Sequence, residues 1–158
     1  MGNPNFINLN KFTQLNFFEE TKLKILKISS GGRHNLVLCS NFKVYSFGDN
    51  SQFQCSGSNT FYSSPYEINS LNNLKVLDIY AGYNFSILVS FNELIWCFGD
   101  NTNHKIGTDV NLKGSKDPYF SKDLLGLNIG KIFPGINNMA IVLSDYRNNL
   151  INTTKYSN

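Results

Sequence analysis

Along this chain apolar and polar residues alternate with a period of two, in short runs broken by glycine- and asparagine-rich turns. Leu26, Ile28 and Ser30 fall on one face of such a run, and Leu77, Ile79 and Ala81 repeat the pattern. Tyr45 and Phe47 share a face, as do Trp96 and Phe98. Successive side chains of a strand point to opposite sides of a sheet, so this spacing predicts β-structure. No stretch keeps the i, i+3, i+4, i+7 spacing of a helix over three turns. Gln14 to Lys24 comes nearest and is read as loop or short turn.

The runs recur in register. Ile25-Leu26-Lys27-Ile28-Ser29-Ser30-Gly31 aligns with Val76-Leu77-Asp78-Ile79-Tyr80-Ala81-Gly82, and Val44-Tyr45-Ser46-Phe47-Gly48-Asp49-Asn50 aligns with Ile95-Trp96-Cys97-Phe98-Gly99-Asp100-Asn101. The apolar alternation between them, Leu36 and Leu38, is matched by Ile87 and Val89. The offset is 51 residues from Gly31 to Gly82 and from Gly48 to Gly99. A weaker third copy begins at Ile129, where Ile132-Phe133-Pro134-Gly135 follows at an offset of 53 and Ile141-Val142 supplies the next strand. Pro4, Pro65 and Pro118 precede the three copies. Residues 1–24 then form an incomplete first repeat or insertion, 25–75 and 76–128 two full repeats, and 129–158 an incomplete third repeat with a tail. A unit near 51 residues holds about four short antiparallel strands, the content of one propeller blade. Gly31, Gly82 and Gly135 close strands at places where a positive φ is expected. Gly48 and Gly99 precede Asp-Asn pairs that cap turns with their own side chains. Tyr45/Phe47 and Trp96/Phe98 are expected to fill the space between blades.

Composition narrows the function classes. The 158 residues are 41% hydrophobic and only 16% charged, which disfavours a disordered chain and a coiled coil. The net charge of +3 is mild, and Lys22, Lys24 and Lys27 make no aromatic-laced basic stripe, so nucleic acid is disfavoured as a partner. Edge lysines also discourage unwanted strand pairing. Cys39, Cys55 and Cys97 have no paired spacing, and with two histidines there is no metal-ligand pattern, so the thiols read as small buried hydrophobes. The first ten residues lack a signal-peptide pattern, Phe6 breaks a myristoylation motif, and no apolar run is long enough to span a bilayer. Cytoplasm or nucleus is the expected compartment. Phosphate loop, nucleophile elbow and triad patterns are absent, so neither enzymatic activity nor a cofactor is expected.

Ile28 to His34, Val44 to Asn50, Gln54 and Pro65 to Ile68, with Ile79 to Gly82, Ile95 to Asn101, Ile106, Gly107 and Pro118, resemble the repeat of the regulator of chromosome condensation (RCC) family. The chain departs from the pattern at Phe53 and His104, where the family has Gly, at Ser56, and at Phe85 and Asn138 in the position of His34. The resemblance implies a partial RCC-type β-propeller, with His34 a structural hydrogen-bonding residue. Complete members look like seven-bladed rings that act as binding platforms. The founding member exchanges nucleotide on the small GTPase Ran and binds chromatin; others are scaffolds or ubiquitin-ligase modules. The expectation is therefore a non-enzymatic protein-interaction module, contacting partners through Asn50 to Tyr62 and Asn101 to Lys116. A guanine nucleotide exchange factor, using Asn8 to Lys22 with Glu19 and Glu20, is the alternative. With fewer blades than a ring, the chain is expected to be a fragment, to self-associate, or to pack into a larger complex. The structural repeat residues are Gly31, His34, Tyr45, Phe47, Gly48, Asn50, Gly82, Trp96, Phe98, Gly99, Asn101 and Gly135.

Overall fold

The computed structural model describes residues 14–71, 74–107 and 114–144. Pro4, the tail from residue 145 and the parts of the two candidate segments at 8–13 and 108–113 lie outside the described residues. Ten strands build the described residues into three sheets. The first blade runs β1 (Ile25–Ser30), β2 (His34–Cys39), β3 (Val44–Asp49) and β4 (Phe61–Glu67), paired antiparallel in chain order. The second runs β5 (Val76–Ala81), β6 (Phe85–Ser90), β7 (Ile95–Gly99) and β8 (Ser115–Phe120), in the same order. A two-stranded sheet of β9 (Ile129–Pro134) and β10 (Met139–Leu143) begins the third. Pro65 and Pro118 sit on the outermost strands, where a missing N–H disturbs no inner ladder.

Strict alternation fails at the start of each first strand. A bulge between Ile25 and Lys27, and its equivalent between Val76 and Asp78, sets two residues against one on the neighbouring strand. The side chains therefore change face there. Val76 and Ile79 are fully buried while Leu77, expected on the face of Ile79, is 51% exposed. Leu26 is turned out in the same way.

Each blade buries its flank on the next. Leu36, Leu38, Val44 and Ile68 of the first blade share one core with Val76, Ile79, Leu88 and Phe98 of the second, and Trp96 packs on its margin. Phe85, Ile87, Val89 and Ile95 share another with Ile132 and Met139 of the third. Trp96 and Phe98 thus fill the seam between two blades. Tyr45 and Phe47 do not: their flank faces away from the second blade. They pack with Val37 and Cys39 on Phe17, Phe18 and Leu23. A one-turn helix, α1 (Phe17–Glu20), supplies that cover from a stretch read as loop or short turn, with Phe17 and Phe18 ring centroids 5.6 and 5.9 Å from Tyr45. The cover is partial. Ile28 is 57% exposed although its equivalent Ile79 is sealed, because no described residue stands where the first blade stands for the second.

The glycines follow two different rules. Gly48 and Gly99 have φ of 108° and 95°, and a Cβ on either would lie 2.5 or 2.6 Å from the carbonyl oxygen of Arg33 or Asn84. Gly31, Gly82 and Gly135 are not in the positive-φ region expected of them. Their constraint is room: a Cβ would meet the His34 ring, the Phe85 ring and Asn138 Oδ1, all at 2.3 to 2.4 Å, and at Gly31 also the Gly82 carbonyl. In every copy the side chain three residues on folds back over the glycine.

Candidate functional site

Polar groups gather at the end of the blades where β1 meets β2 and β3 leads to β4. Gly32 N–H donates to Tyr83 O at 3.0 Å, and Tyr83 N–H to Gly135 O at 3.2 Å, so the glycine loops of consecutive blades are stitched together by backbone. They border a shallow hollow of about 300 Å³. On the first strands, Lys27 pairs with Asp78 across the seam, Tyr80 donates to the other Asp78 oxygen at 2.7 Å, and Ala81 N–H reaches Ser29 Oγ at 2.9 Å.

His34 lies inside the same seam, 1% exposed. Ser86 Oγ–H donates to Gln54 O at 2.7 Å, which leaves the Ser86 oxygen to accept from His34 Nε2–H at 2.9 Å. The ring is therefore the Nε2–H tautomer, and Nδ1 has no partner. Protonation would bury an unpaired N–H. Burial lowers the His34 pKa from 6.5 to about 4, against an opposing pull from Asp49. Such a group is a hydrogen-bonded strut at neutral pH. In the second copy Phe85 occupies the equivalent position and joins an apolar core with Met139, so one architectural contact is made once with polar groups and once without.

The loops after β3 and β7 are built by repeated Asp-Asn pairs. Asp49 Oδ1 accepts Ser51 N–H at 3.1 Å, and Asp100 Oδ1 accepts Thr102 N–H at 2.8 Å. Asn50 Oδ1 accepts Cys55 N–H at 2.7 Å while its Nδ2 donates to Ser56 O and Asn59 O at 2.9 and 2.6 Å. Asn101 Oδ1 accepts Ile106 N–H at 3.3 Å. Gln54 donates to Asp49 Oδ2 at 3.1 Å; its equivalent Lys105 makes a buried ion pair with Asp100 Oδ2 at 2.7 Å. Burial alone would raise the Asp100 carboxyl, but Lys105 and the Thr102 N–H outweigh it and hold it below the usual range. The first loop also reaches the second blade: Ser56 Oγ–H and Gly57 N–H both donate to Lys116 O of β8, at 2.9 and 3.1 Å. Phe53 and His104 have φ of 63° and 55°, and Ser56 and Gly107 have 62° and 66°. The departures at Phe53, His104 and Ser56 therefore place ordinary side chains in a left-handed turn.

Cys39, Cys55 and Cys97 are buried and unbridged, and burial pushes their thiols up to about 11, 12 and 12. Such thiols are poor nucleophiles. Among the described residues no cluster of three or more His, Cys, Asp or Glu could hold a metal, and no helix is long and apolar enough to cross a membrane. The structure thus engages His34, Asn50, Asn101 and the five glycines in internal architecture. Ser86 and Lys105, which complete the seam and the second loop, were not singled out from sequence. The one available signal for Ser86 was a hydroxyl inside the otherwise apolar run Phe85 to Val89.

Profiles of the regulator of chromosome condensation (RCC1) repeat match residues 25–54 and 43–89. The chain is 23% identical over 111 residues to the probable E3 ubiquitin-protein ligase HERC6 of Homo sapiens, covering 68% of this chain and 11% of that protein. It is 28% identical over 106 residues to the ultraviolet-B receptor UVR8 of Arabidopsis thaliana, covering 66% of this chain and 23% of the relative. The chain thus spans less than a quarter of either. The fold is similar to that of Prp20p from Saccharomyces cerevisiae, with a TM-score of 0.65 at 18% identity over 84% of this chain and 34% of that one. That structure was described together with the binding of Prp20p to Gsp1p and histones.

Proposed function

We propose that this chain, which carries regulator of chromosome condensation repeats over residues 25–89, is a non-enzymatic platform that binds a protein partner through the loops after β3 and β7. The observation that carries this reading is the use of Asn50. It is 1% exposed and spends its side-chain hydrogen bonds fixing the loop that leads to Thr60. A loop ordered before binding loses less conformational freedom on association, which favours affinity. Ser58, Asn59 and Thr60 are exposed on it. The test is a photo-crosslinking residue placed at Ser58, with exposed Ser63 on β4 as the comparison, in cells that express the protein. A discrete protein adduct at Ser58, absent at Ser63 and lost on Asn50→Ala, supports the platform. Equal adducts at both positions, or none, overturn it.

Fold similarity to Prp20p favours one specific second reading, exchange of guanine nucleotide on a Ran-type GTPase. Release of a fluorescent GDP from such a GTPase, measured with and without the chain, separates the two. Acceleration supports exchange, and an unchanged rate removes it without touching the platform. The exposed flank around Ile28 favours a further blade-like sheet as the neighbour of the first blade, whether from a second copy or a larger assembly.

A further inference from the structure

The opposite end of the first two blades carries a second cleft. It opens where the β2–β3 turn overhangs the crossing from β4 to β5, and its volume is about 490 Å³. That lies within the roughly 300–1,000 Å³ typical of small-ligand sites. The floor is apolar: Val44, Ile68 and Leu71 are buried beneath it, and Phe42 and Leu74 stand half-buried at the sides. Two lysines mark the rim, and they are not equivalent. Lys43 Nζ is already paired with Glu67 Oε1 at 2.6 Å, and Tyr45 OH donates to the other Glu67 oxygen at 3.1 Å. Lys75 Nζ lies 5.9 Å from the centre of the Phe42 ring, and among the described residues no carboxylate pairs with it. The rim therefore has one neutralised charge pair and one uncompensated cation beside an apolar floor.

We infer that this cleft docks a short acidic peptide of a partner protein, seating one apolar side chain on the floor and an adjacent carboxylate on Lys75. Charge complementarity selects the occupant. A basic peptide would meet Lys75 unfavourably, and a wholly apolar one would leave the cation unmatched. The cleft opens at the end of the blades opposite the Asn50 loop, and Ser56 of that loop reaches Ser70 behind its wall at 3.4 Å. It is a second surface, and peptide binding there is read separately from the crosslink at Ser58.

The test uses the full chain and fluorescein-labelled peptides of sequence GSLEELSG, GSIEEISG and GSFEEFSG, followed by fluorescence anisotropy at low salt. The lysine counterpart GSLKKLSG is the charge-swapped probe. Saturable binding of at least one acidic peptide is expected, and its affinity should fall about tenfold or more in Lys75→Glu. The lysine peptide should instead bind Lys75→Glu better than the unaltered chain. Lys75 is exposed, so the fold should survive its reversal. Lys131→Glu, exposed on β9 of the third sheet, should leave binding unchanged. Absence of saturable binding below about 1 mM for all three acidic peptides overturns the inference. Equal affinity in Lys75→Glu, or an equal loss in Lys131→Glu, overturns it as well.

Discussion

Acidification should loosen the seam between the first two blades through one residue. His34 is neutral when folded because its ring is enclosed, with Nε2–H spent on Ser86 and Nδ1 facing no donor. Its pKa falls from 6.5 to about 4. A lowered value means that the unfolded chain takes up the proton first as the pH drops. The contribution is fully present above pH 6.5, declines as the pH falls below it, and is lost by the folded value near 4. At about 1.4 kcal/mol per pH unit, the gap is worth about 3 kcal/mol, a large share of the 5–15 kcal/mol typical of a domain. Carboxylates titrate over part of the same window, so the readout must be a difference. Urea unfolding at a series of pH values from 7.5 to 4 should be compared with His34→Phe, which installs the residue the second copy uses at Phe85. The unaltered protein should lose about 3 kcal/mol more than the variant across the window. Parallel curves would refute the reasoning, because they would mean that His34 is open to solvent and not sealed between blades.

Three further outcomes follow from the same geometry. Lys105→Met strands the Asp100 carboxylate in a buried loop and should cost about 3–5 kcal/mol in denaturant unfolding; Lys105→Gln, which copies Gln54 beside Asp49, should cost clearly less. Glu93 is exposed in the β6–β7 turn with φ of 62°, so Glu93→Gly should raise stability by about 0.5–1 kcal/mol, whereas Gly99→Ala, with φ of 95° and an Asn84 carbonyl in the way, should lower it by about 1–3 kcal/mol. The three thiols should resist a water-soluble disulfide reagent in the native protein and react after denaturation, since all are buried and pushed up to about 11 or 12.

The parts of the fold legible in the sequence are those written in local periodicity and in its recurrence. The paired units stand out because β1 to β3 and β5 to β7 start at equal offsets, and short-range alternation is enough to mark a strand. Turn chemistry was legible for the same reason. Asp49 and Asp100 each accept the backbone N–H two residues on, so residue type and spacing nearly determine that turn. What depends on approach through space was not legible. Gly31 is constrained by the Gly82 carbonyl from the next blade as well as by the His34 ring three residues on, and the carbonyl leaves no local mark. The bulge at Val76 turns Leu77 outward although the alternation there is unbroken. Tyr45 and Trp96 occupy equivalent positions, yet one meets a one-turn helix and the other a blade, because the identity of the neighbour is a property of the assembly.

The central claim is that two successive units fold into equivalent sheets joined face to face along a hydrogen-bonded seam. Nuclear Overhauser contacts in the isotope-labelled protein address it directly. The account predicts cross-seam contacts from the Gly32 amide to Tyr83 and from the Ala81 amide to the Ser29 β-protons, alongside antiparallel contacts within each blade. Two intact blades without those cross-seam contacts, or helical sequential contacts over residues 25–49 and 76–99, would contradict it.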